Sequence, residues 1–131
     1  MLIQFTLRNF RSFKKDASLN MTTASITERA EDNTFEAVPG KMSLLKSAVI
    51  FGANASGKSN LLLGMKFMKD FIWNSSKESQ AEESIAVTPF RLSRETEGAP
   101  SLFEITFQHE GVRYRYGFSL TRTEVVAEWL F

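Results

Sequence analysis

The stretch of sequence that decides the fold is VIFGANASGKSNLLLGM, from Val49 to Met65. It overlaps the run Leu44–Phe51, LLKSAVIF, whose last four residues are all apolar, as is typical of a central strand covered on both faces. After Gly57, apolar residues recur at spacings of three and four, which predicts an amphipathic helix from Lys58 to about Asn74. The sequence therefore predicts a buried strand, a glycine-containing turn and a helix, in that order.

The turn, GANASGKS, matches the phosphate-binding pattern G-x-x-x-x-G-K-[ST] from Gly52 to Ser59. Glycine at both ends permits the dihedral angles and the close packing that backbone N–H groups need to surround an anion. The first turn of the helix adds N–H donors and a positive dipole end, Lys58 can reach terminal phosphates, and the Ser59 hydroxyl can bind Mg²⁺. We therefore expect a nucleoside triphosphate and Mg²⁺ as ligands.

Outside this stretch, several segments of the first half of the chain have a readable pattern. Alternation of apolar and polar residues predicts a strand over Leu2–Phe10, and Ala17–Met21 predicts a second, short strand. Thr22–Pro39 follows neither the strand nor the helix period and is expected to be a loop. Gly64 within the predicted helix indicates a close approach of another backbone, and the polar run Ser75–Ser84 predicts an exposed connection.

The last third of the chain predicts an antiparallel meander. Alternation from Ser101 onward gives a first strand, a turn over Gln108–Gly111 and a second strand over Val112–Leu120. A third strand over Val125–Phe131 completes the meander. We expect its aromatic side chains to form core rather than a platform for stacking bases, and we expect Glu104 to face arginines of the second strand.

Composition excludes several classes of function. The chain has 16 lysine and arginine residues against 15 aspartate and glutamate residues, so it is not a polycation built to coat nucleic acid. It has no cysteine, which excludes disulfides and thiolate nucleophiles and fits a reducing compartment. His109 is the single histidine, so a metal or general-base role is not expected there. Without a signal peptide or a membrane-spanning run, the sequence predicts a cytoplasmic protein with no membrane contact.

A resemblance to a known family is carried by Asn54, by Asn60 and by the opening FTLRNFRSFKKDASLNM. These residues resemble the ABC-like ATPase heads of the RecF and SMC type, and above all the AAA-family ATP-binding proteins of prokaryotic abortive-infection, retron-associated and OLD-like phage-defence systems. The segments TPFRLSRE, SLFEITFQHEGVRYRYGFSL and VVAEWLF are similar to the antiparallel segment that follows the first helix in those proteins. The resemblance implies an α/β fold, namely the N-terminal lobe of a P-loop, ABC-like head with a mixed sheet, one P-loop helix and an antiparallel β meander.

The resemblance also implies a set of site residues and a division of the chain. Lys58 is the implied catalytic residue, Ser59 the implied Mg²⁺ ligand, and Arg11 in NFRSF is expected near the phosphates of ATP. The implied nucleotide-binding residues are Gly52, Asn54, Ala55, Ser56, Gly57, Lys58, Ser59, Asn60 and Arg11. Residues 1–131 would be the N-terminal portion of an ABC-like ATPase domain, with a strand, P-loop and helix core at 1–74, an exposed connection at 75–100 and an antiparallel β segment at 101–131.

By this resemblance, ATP pairs two heads into a homodimer or higher homo-oligomer, and hydrolysis separates them, which would control an effector nuclease or toxin or engage DNA. The acidic residue that ends a second apolar strand and the Ser-Gly-Gly signature loop needed for hydrolysis are absent from the 131 residues, so this portion is expected to be an ATPase only within a longer protein. The alternative is a non-hydrolysing nucleotide-binding scaffold that assembles around an effector. A GTPase is disfavoured because no Asn-Lys-x-Asp pattern occurs.

Overall fold

Two antiparallel sheets and one long helix make up most of the fold. The computed structural model describes residues 1–25, 28–38, 40–75 and 84–131. The strands are β1 Leu2–Arg8, β2 Ala17–Asn20, β3 Thr34–Val38, β4 Met42–Leu45, β5 Ser101–His109, β6 Val112–Leu120 and β7 Val125–Leu130, and the helices are α1 Ala30–Asn33, α2 Lys58–Ser75 and α3 Arg94–Glu97. Within these residues the strand orders are β2-β1-β5-β6-β7 in the larger sheet and β3-β4 in the smaller one.

The larger sheet is built by strands whose sequences alternate. Phe5 of β1 pairs with Ile105 of β5, and Leu7 pairs with Phe103, so apolar side chains from neighbouring strands share one face. β6 follows β5 through a two-residue turn at Glu110 and Gly111, and β7 pairs with β6. The predicted first and second strands and the predicted three-stranded meander are confirmed, as is the ion pair of Glu104 with an arginine of β6, Arg115, at 3.6 Å.

Helix α2 covers the apolar face of the larger sheet. The ring of Phe67 lies 4.8 Å from that of Phe103, and the ring of Phe71 lies 4.8 Å from that of Phe118. The fully or nearly fully buried side chains of this core are Phe5, Leu7, Phe10, Met68, Val87, Phe103, Phe118 and Leu120. The helix predicted from Lys58 is therefore confirmed. The expected core role of the aromatic side chains of the meander is confirmed for Phe103 and Phe118, whereas Phe131 is 70% exposed.

The expected central strand over Leu44–Phe51 is wrong. Strand β4 ends at Leu45, residues 46–53 form no strand, and the side chains of Val49 and Phe51 are 74% and 88% exposed. A strand can be covered on both faces only when neighbouring strands pair with both of its edges. In the described ranges no strand pairs with residues 46–51, and the sheets contain only antiparallel pairs, so the expected mixed sheet is not found there either.

The expected loop over Thr22–Pro39 contains regular structure. Helix α1 and strand β3 lie within it, and β3 pairs with β4 to form the smaller sheet. Ala37 of β3 packs with Ile3 and Leu44 in a second, small apolar cluster. β3 escaped prediction because its alternation spans only five residues within a polar segment; residues 26, 27 and 39 lie outside the described ranges.

The turn that follows β1 is held by the segment that precedes β5. Asn9 is buried, its Nδ2 donates to the carbonyl oxygens of Thr96 and Ala99 at 2.9 and 2.8 Å, and its Oδ1 accepts from the Phe90 N–H at 3.0 Å. From Ser84 onward, the expected exposed connection over 75–100 is thus not uniformly exposed, since Val87 also lies in the core. Residues 76–83 of that connection lie outside the described ranges.

Candidate functional site

The loop 52–59 runs from the exposed Phe51 into the first turn of α2, and residues 52–56 are all exposed. Gly57 has φ 97°, and a Cβ at this position would lie 2.7 Å from the Ser12 Oγ. Both its backbone conformation and its surroundings therefore require glycine. Ala55 also lies in the left-handed region, with φ 64°. A non-glycine residue in this region carries local backbone strain.

The first glycine of the loop serves a different purpose from the second. Gly52 is not among the residues with positive φ, so at this end glycine is needed for close packing and not for its dihedral angles. A Cβ at position 52 would instead lie 2.6 Å from the Oγ of Ser56. Glycine at this end therefore provides space for the loop to close on itself.

The side chain of Lys58 crosses the loop. Its Nζ donates hydrogen bonds to the carbonyl oxygens of Gly52 at 2.6 Å and Ala53 at 2.7 Å. These two carbonyls satisfy part of the ammonium group's three donors, and the group remains partly exposed. These carbonyls are neutral acceptors, and a bound anion would offer the ammonium a charged acceptor in their place.

The start of α2 is electrostatically suited to an anion. The helix has 18 residues, and its first turn has no acidic side chain that would neutralise its positive dipole end. The first N–H groups of an α-helix have no partners within the helix, and they point towards the loop that precedes it. Ser59, the second residue of α2, is exposed at this end. The first acidic residue of the helix, Asp70, lies three turns further on and pairs with Lys66.

The turn after β1 lies against the loop. The Nδ2 of Asn60 donates to the Ser12 Oγ at 2.9 Å, and the Phe13 ring would approach a Cβ at position 57 to 3.3 Å. Ser12 was missed by sequence reasoning, because no motif marks it. The only signal was its position beside Arg11.

Arg11 lies in the same turn, and no hydrogen bond or ion pair joins it to loop 52–59 in this structure. Its backbone has φ 50°, and its N–H donates to the Thr88 carbonyl at 2.8 Å. The guanidinium carbon lies 5.6 Å from the centre of the Phe10 ring, and the side chain is exposed. Among the described residues no ion pair of Arg11 is seen, whereas its neighbours Arg8 and Lys14 are paired with Asp16 and Glu95.

The remaining expected site residues, Asn54 to Ser56, lie in the middle of the loop. Asn54, Ala55 and Ser56 are exposed, and the Ser56 N–H donates to the Ala53 carbonyl at 3.2 Å. The structure therefore brings the loop, Lys58, Ser59 and Asn60 together at one end of α2, with the turn of Arg11 beside them.

Comparison with protein families supplies an independent observation. The family model described as "AAA domain, putative AbiEii toxin, Type IV TA system" matches residues 47–131, about two thirds of the chain. The chain belongs to this AAA domain family. Membership implies a nucleotide-binding, ATPase-like function. No curated protein matches the chain significantly.

The match places loop 52–59 and α2 near the start of the AAA domain and leaves β1 to β4 outside the matched residues. Arg11 and Ser12 are therefore joined to the AAA domain by the contacts of their turn, not by the family match.

For a divalent cation, the described part of the AAA domain offers few side chains. It contains no group of three or more histidine, cysteine, aspartate or glutamate side chains close enough together to hold a metal ion. Beside the loop, Ser59 has the hydroxyl that a hard cation such as Mg²⁺ accepts as a ligand.

Of the helices in the ranges that the structure describes, none has both the length and the apolar character required to cross a lipid bilayer.

Proposed function

We propose that the AAA domain binds ATP through loop 52–59, a Walker A loop, and hydrolyses it in the full-length protein. The observation that carries the proposal is the position of Lys58. Its ammonium bridges the two carbonyls at the start of the loop, and Lys58 itself is the first residue of α2, whose first turn has no acidic residue. A triphosphate offers this ammonium stronger, charged acceptors. Family membership is independent support, since it implies a nucleotide as the ligand.

In this proposal the loop and the start of α2 share the work of binding. The main chain from Asn54 to Asn60 surrounds the phosphates, Lys58 contacts the terminal phosphates, and Ser59 gives its hydroxyl to Mg²⁺. Gly52 and Gly57 let the backbone close around the anion. When bound, Mg²⁺ neutralises charge that develops on the phosphates. Arg11 supplies a permanent positive charge from the neighbouring turn.

The wider role that we propose rests on the resemblance of the sequence to RecF- and SMC-type heads. Residues 1–131 would be the N-terminal portion of such a head, divided at about residues 74 and 100, in a cytoplasmic protein. Nucleotide would pair two heads, and their separation would control an effector nuclease, a toxin or a DNA-processing activity. The family description names a putative toxin of a type IV toxin–antitoxin system, and a toxin is one of the effectors in this proposal.

The test is ATP titration of the full-length protein with Mg²⁺ present, comparing Lys58→Ala with Lys69→Ala, which removes an exposed lysine further along the same helix. A hydrogen bond to a charged group contributes about 1.5–3 kcal/mol, so Lys58→Ala should weaken binding by about tenfold or more, and Lys69→Ala should not. Equal affinities of Lys58→Ala and the wild type would reject the assigned site.

ATP turnover is measured in the same samples, because only hydrolysis distinguishes an ATPase from a non-hydrolysing nucleotide-binding scaffold. Phosphate release that depends on Lys58 supports the ATPase. Tight binding without release in the wild type identifies the non-hydrolysing scaffold instead.

A further inference from the structure

Ser12 occupies a place beside the loop that no sequence motif assigns. Its Oγ accepts a hydrogen bond from the Asn60 Nδ2 at 2.9 Å and would lie 2.7 Å from a Cβ at position 57. It therefore touches both the last glycine of the loop and the first turn of α2. The side chain is also exposed, so a ligand held by the loop can reach it.

The Ser12 hydroxyl still has its proton available to donate. A serine hydroxyl has one donor and two acceptor positions. Asn60 uses one acceptor position, and within the described ranges no acceptor is seen for the Ser12 proton. An exposed hydroxyl of this kind donates to solvent water, and a phosphate oxygen held by the loop would be a charged acceptor in place of that water.

The turn that carries Ser12 is fixed before any ligand binds. Asn9 and Arg11 both have left-handed backbones, with φ 51° and 50°. The buried Asn9 amide bonds to the segment before β5, and the Arg11 N–H donates to the Thr88 carbonyl. A donor held by a braced turn loses little conformational entropy on binding, which favours a role in affinity.

We propose that Ser12 is a phosphate-contacting residue: its hydroxyl donates a hydrogen bond to a phosphate oxygen of the nucleoside triphosphate held by loop 52–59, while Asn60 fixes the Oγ. This inference rests on the proposed function and adds to it a contact from outside the loop and outside the residues matched by the family model. It gives the turn after β1 two contributions to the site, a hydroxyl from Ser12 and a positive charge from Arg11.

The experiment compares Ser12→Ala, Ser12→Thr and the control Ser18→Ala in the full-length protein. Ser18 is also exposed and also forms a side-chain hydrogen bond, with Thr6 on the neighbouring strand, but it lies in β2. The measurements are the dissociation constant of ATP with Mg²⁺ and the melting temperature without nucleotide. The first reports on the ligand contact, and the second reports on any structural role of the hydroxyl.

We expect Ser12→Ala to weaken ATP binding by about three- to tenfold, and Ser12→Thr, which keeps the hydroxyl, to bind within about twofold of the wild type. Ser18→Ala should bind like the wild type, and the melting temperatures of the two alanine variants without nucleotide should agree. Equal affinity of Ser12→Ala and the wild type overturns the inference, as does a Ser12→Thr variant no better than Ser12→Ala.

Lys58→Ala, measured alongside, separates the inference from the proposed function. Lost binding in Lys58→Ala with unchanged binding in Ser12→Ala rejects the Ser12 contact and leaves the loop assignment standing. Unchanged binding in both variants, or no binding by the wild type, overturns both proposals.

Discussion

Gly64 of helix α2 lies directly against the side chain of Leu7 in strand β1, so closely that a Cβ at position 64 would overlap the Leu7 Cδ2. Leu7 is fully buried and pairs with Phe103 in the centre of the sheet, so it has little room to move. The close neighbour of Gly64 is therefore a side chain, whereas the sequence predicted the backbone of another segment. The absence of a Cβ is what lets α2 lie close to the sheet.

Replacing Gly64 by alanine should lower the free energy of unfolding by about 1–2 kcal/mol, because overpacking costs about 1–3 kcal/mol and outweighs the gain of about 1 kcal/mol in helix propensity. Gly98→Ala is the matched control, since Gly98 has φ −101° and a Cβ there would meet nothing within 4 Å. Its effect should stay within about 0.5 kcal/mol. Denaturant unfolding measures both, and a stabilised Gly64→Ala protein would refute the tight contact.

Arg11→Ala should reduce ATP turnover, or nucleotide-driven pairing of heads, while leaving the fold intact. The side chain is exposed and rests only on the Phe10 ring among the described residues, so its loss removes a charge and little packing. Arg113→Ala is the control, because Arg113 is also an exposed arginine. It lies opposite Gln108, near one end of β5, whereas Arg8 of β1 lies opposite Leu102, near the other end of β5. Turnover and pairing of Arg11→Ala that match those of Arg113→Ala would make Arg11 an ordinary surface residue.

Tyr116 should make the protein sensitive to alkaline pH. Burial, followed by the hydrogen bond to Glu128 at 2.7 Å and the negative charge of Glu128, raises the pKa of the Tyr116 phenol above its ordinary value of about 10. The folded chain keeps this proton where the unfolded chain loses it, so the stabilising effect is complete below about pH 10 and is lost as the pH rises further.

The measurement is the free energy of unfolding between about pH 9 and pH 11 for the wild type and for Tyr116→Phe. The variant should lose stability less steeply with rising pH, because the phenol that titrates differently in the two states is gone. Tyr114→Phe, which removes the hydroxyl of the neighbouring tyrosine of β6, is the matched control for the loss of a phenol. Identical slopes for wild type and Tyr116→Phe would show that the phenol does not control the alkaline transition.

The β5–β6 hairpin of the meander was predictable because both of its strands alternate between apolar and polar residues. β5 and β6 carry nine residues each, and the turn at Glu110 and Gly111 has a glycine with φ 79°. Local sequence therefore determines both the strands and the turn that joins them. Helix α2 was also predictable from a local pattern, its apolar stripe. Phe67 and Phe71 belong to this stripe, and their rings pack against the sheet.

Features that depend on distant partners were not predictable. The apolar run that ends at Val49 and Phe51 has the composition of a buried strand, but composition does not say whether neighbouring strands are present to pair with it. The loop residues of the candidate site could be named from the motif alone. Ser12 could not, because its relevance comes from its contacts with Gly57 and Asn60, which are far from it in sequence.

Strand β1 lies between β2 and β5, and this arrangement has a consequence for the order in which the chain folds during synthesis. The ribosome releases β1 about a hundred residues before the residues of β5 that pair with it, so at first only the four-residue β2 can pair with it. The β5–β6 hairpin, by contrast, can close locally as soon as it emerges. Insertion of β1 beside that hairpin is then the slow, long-range step, and until it occurs Phe5 and Leu7 are available to chaperones or to aggregation.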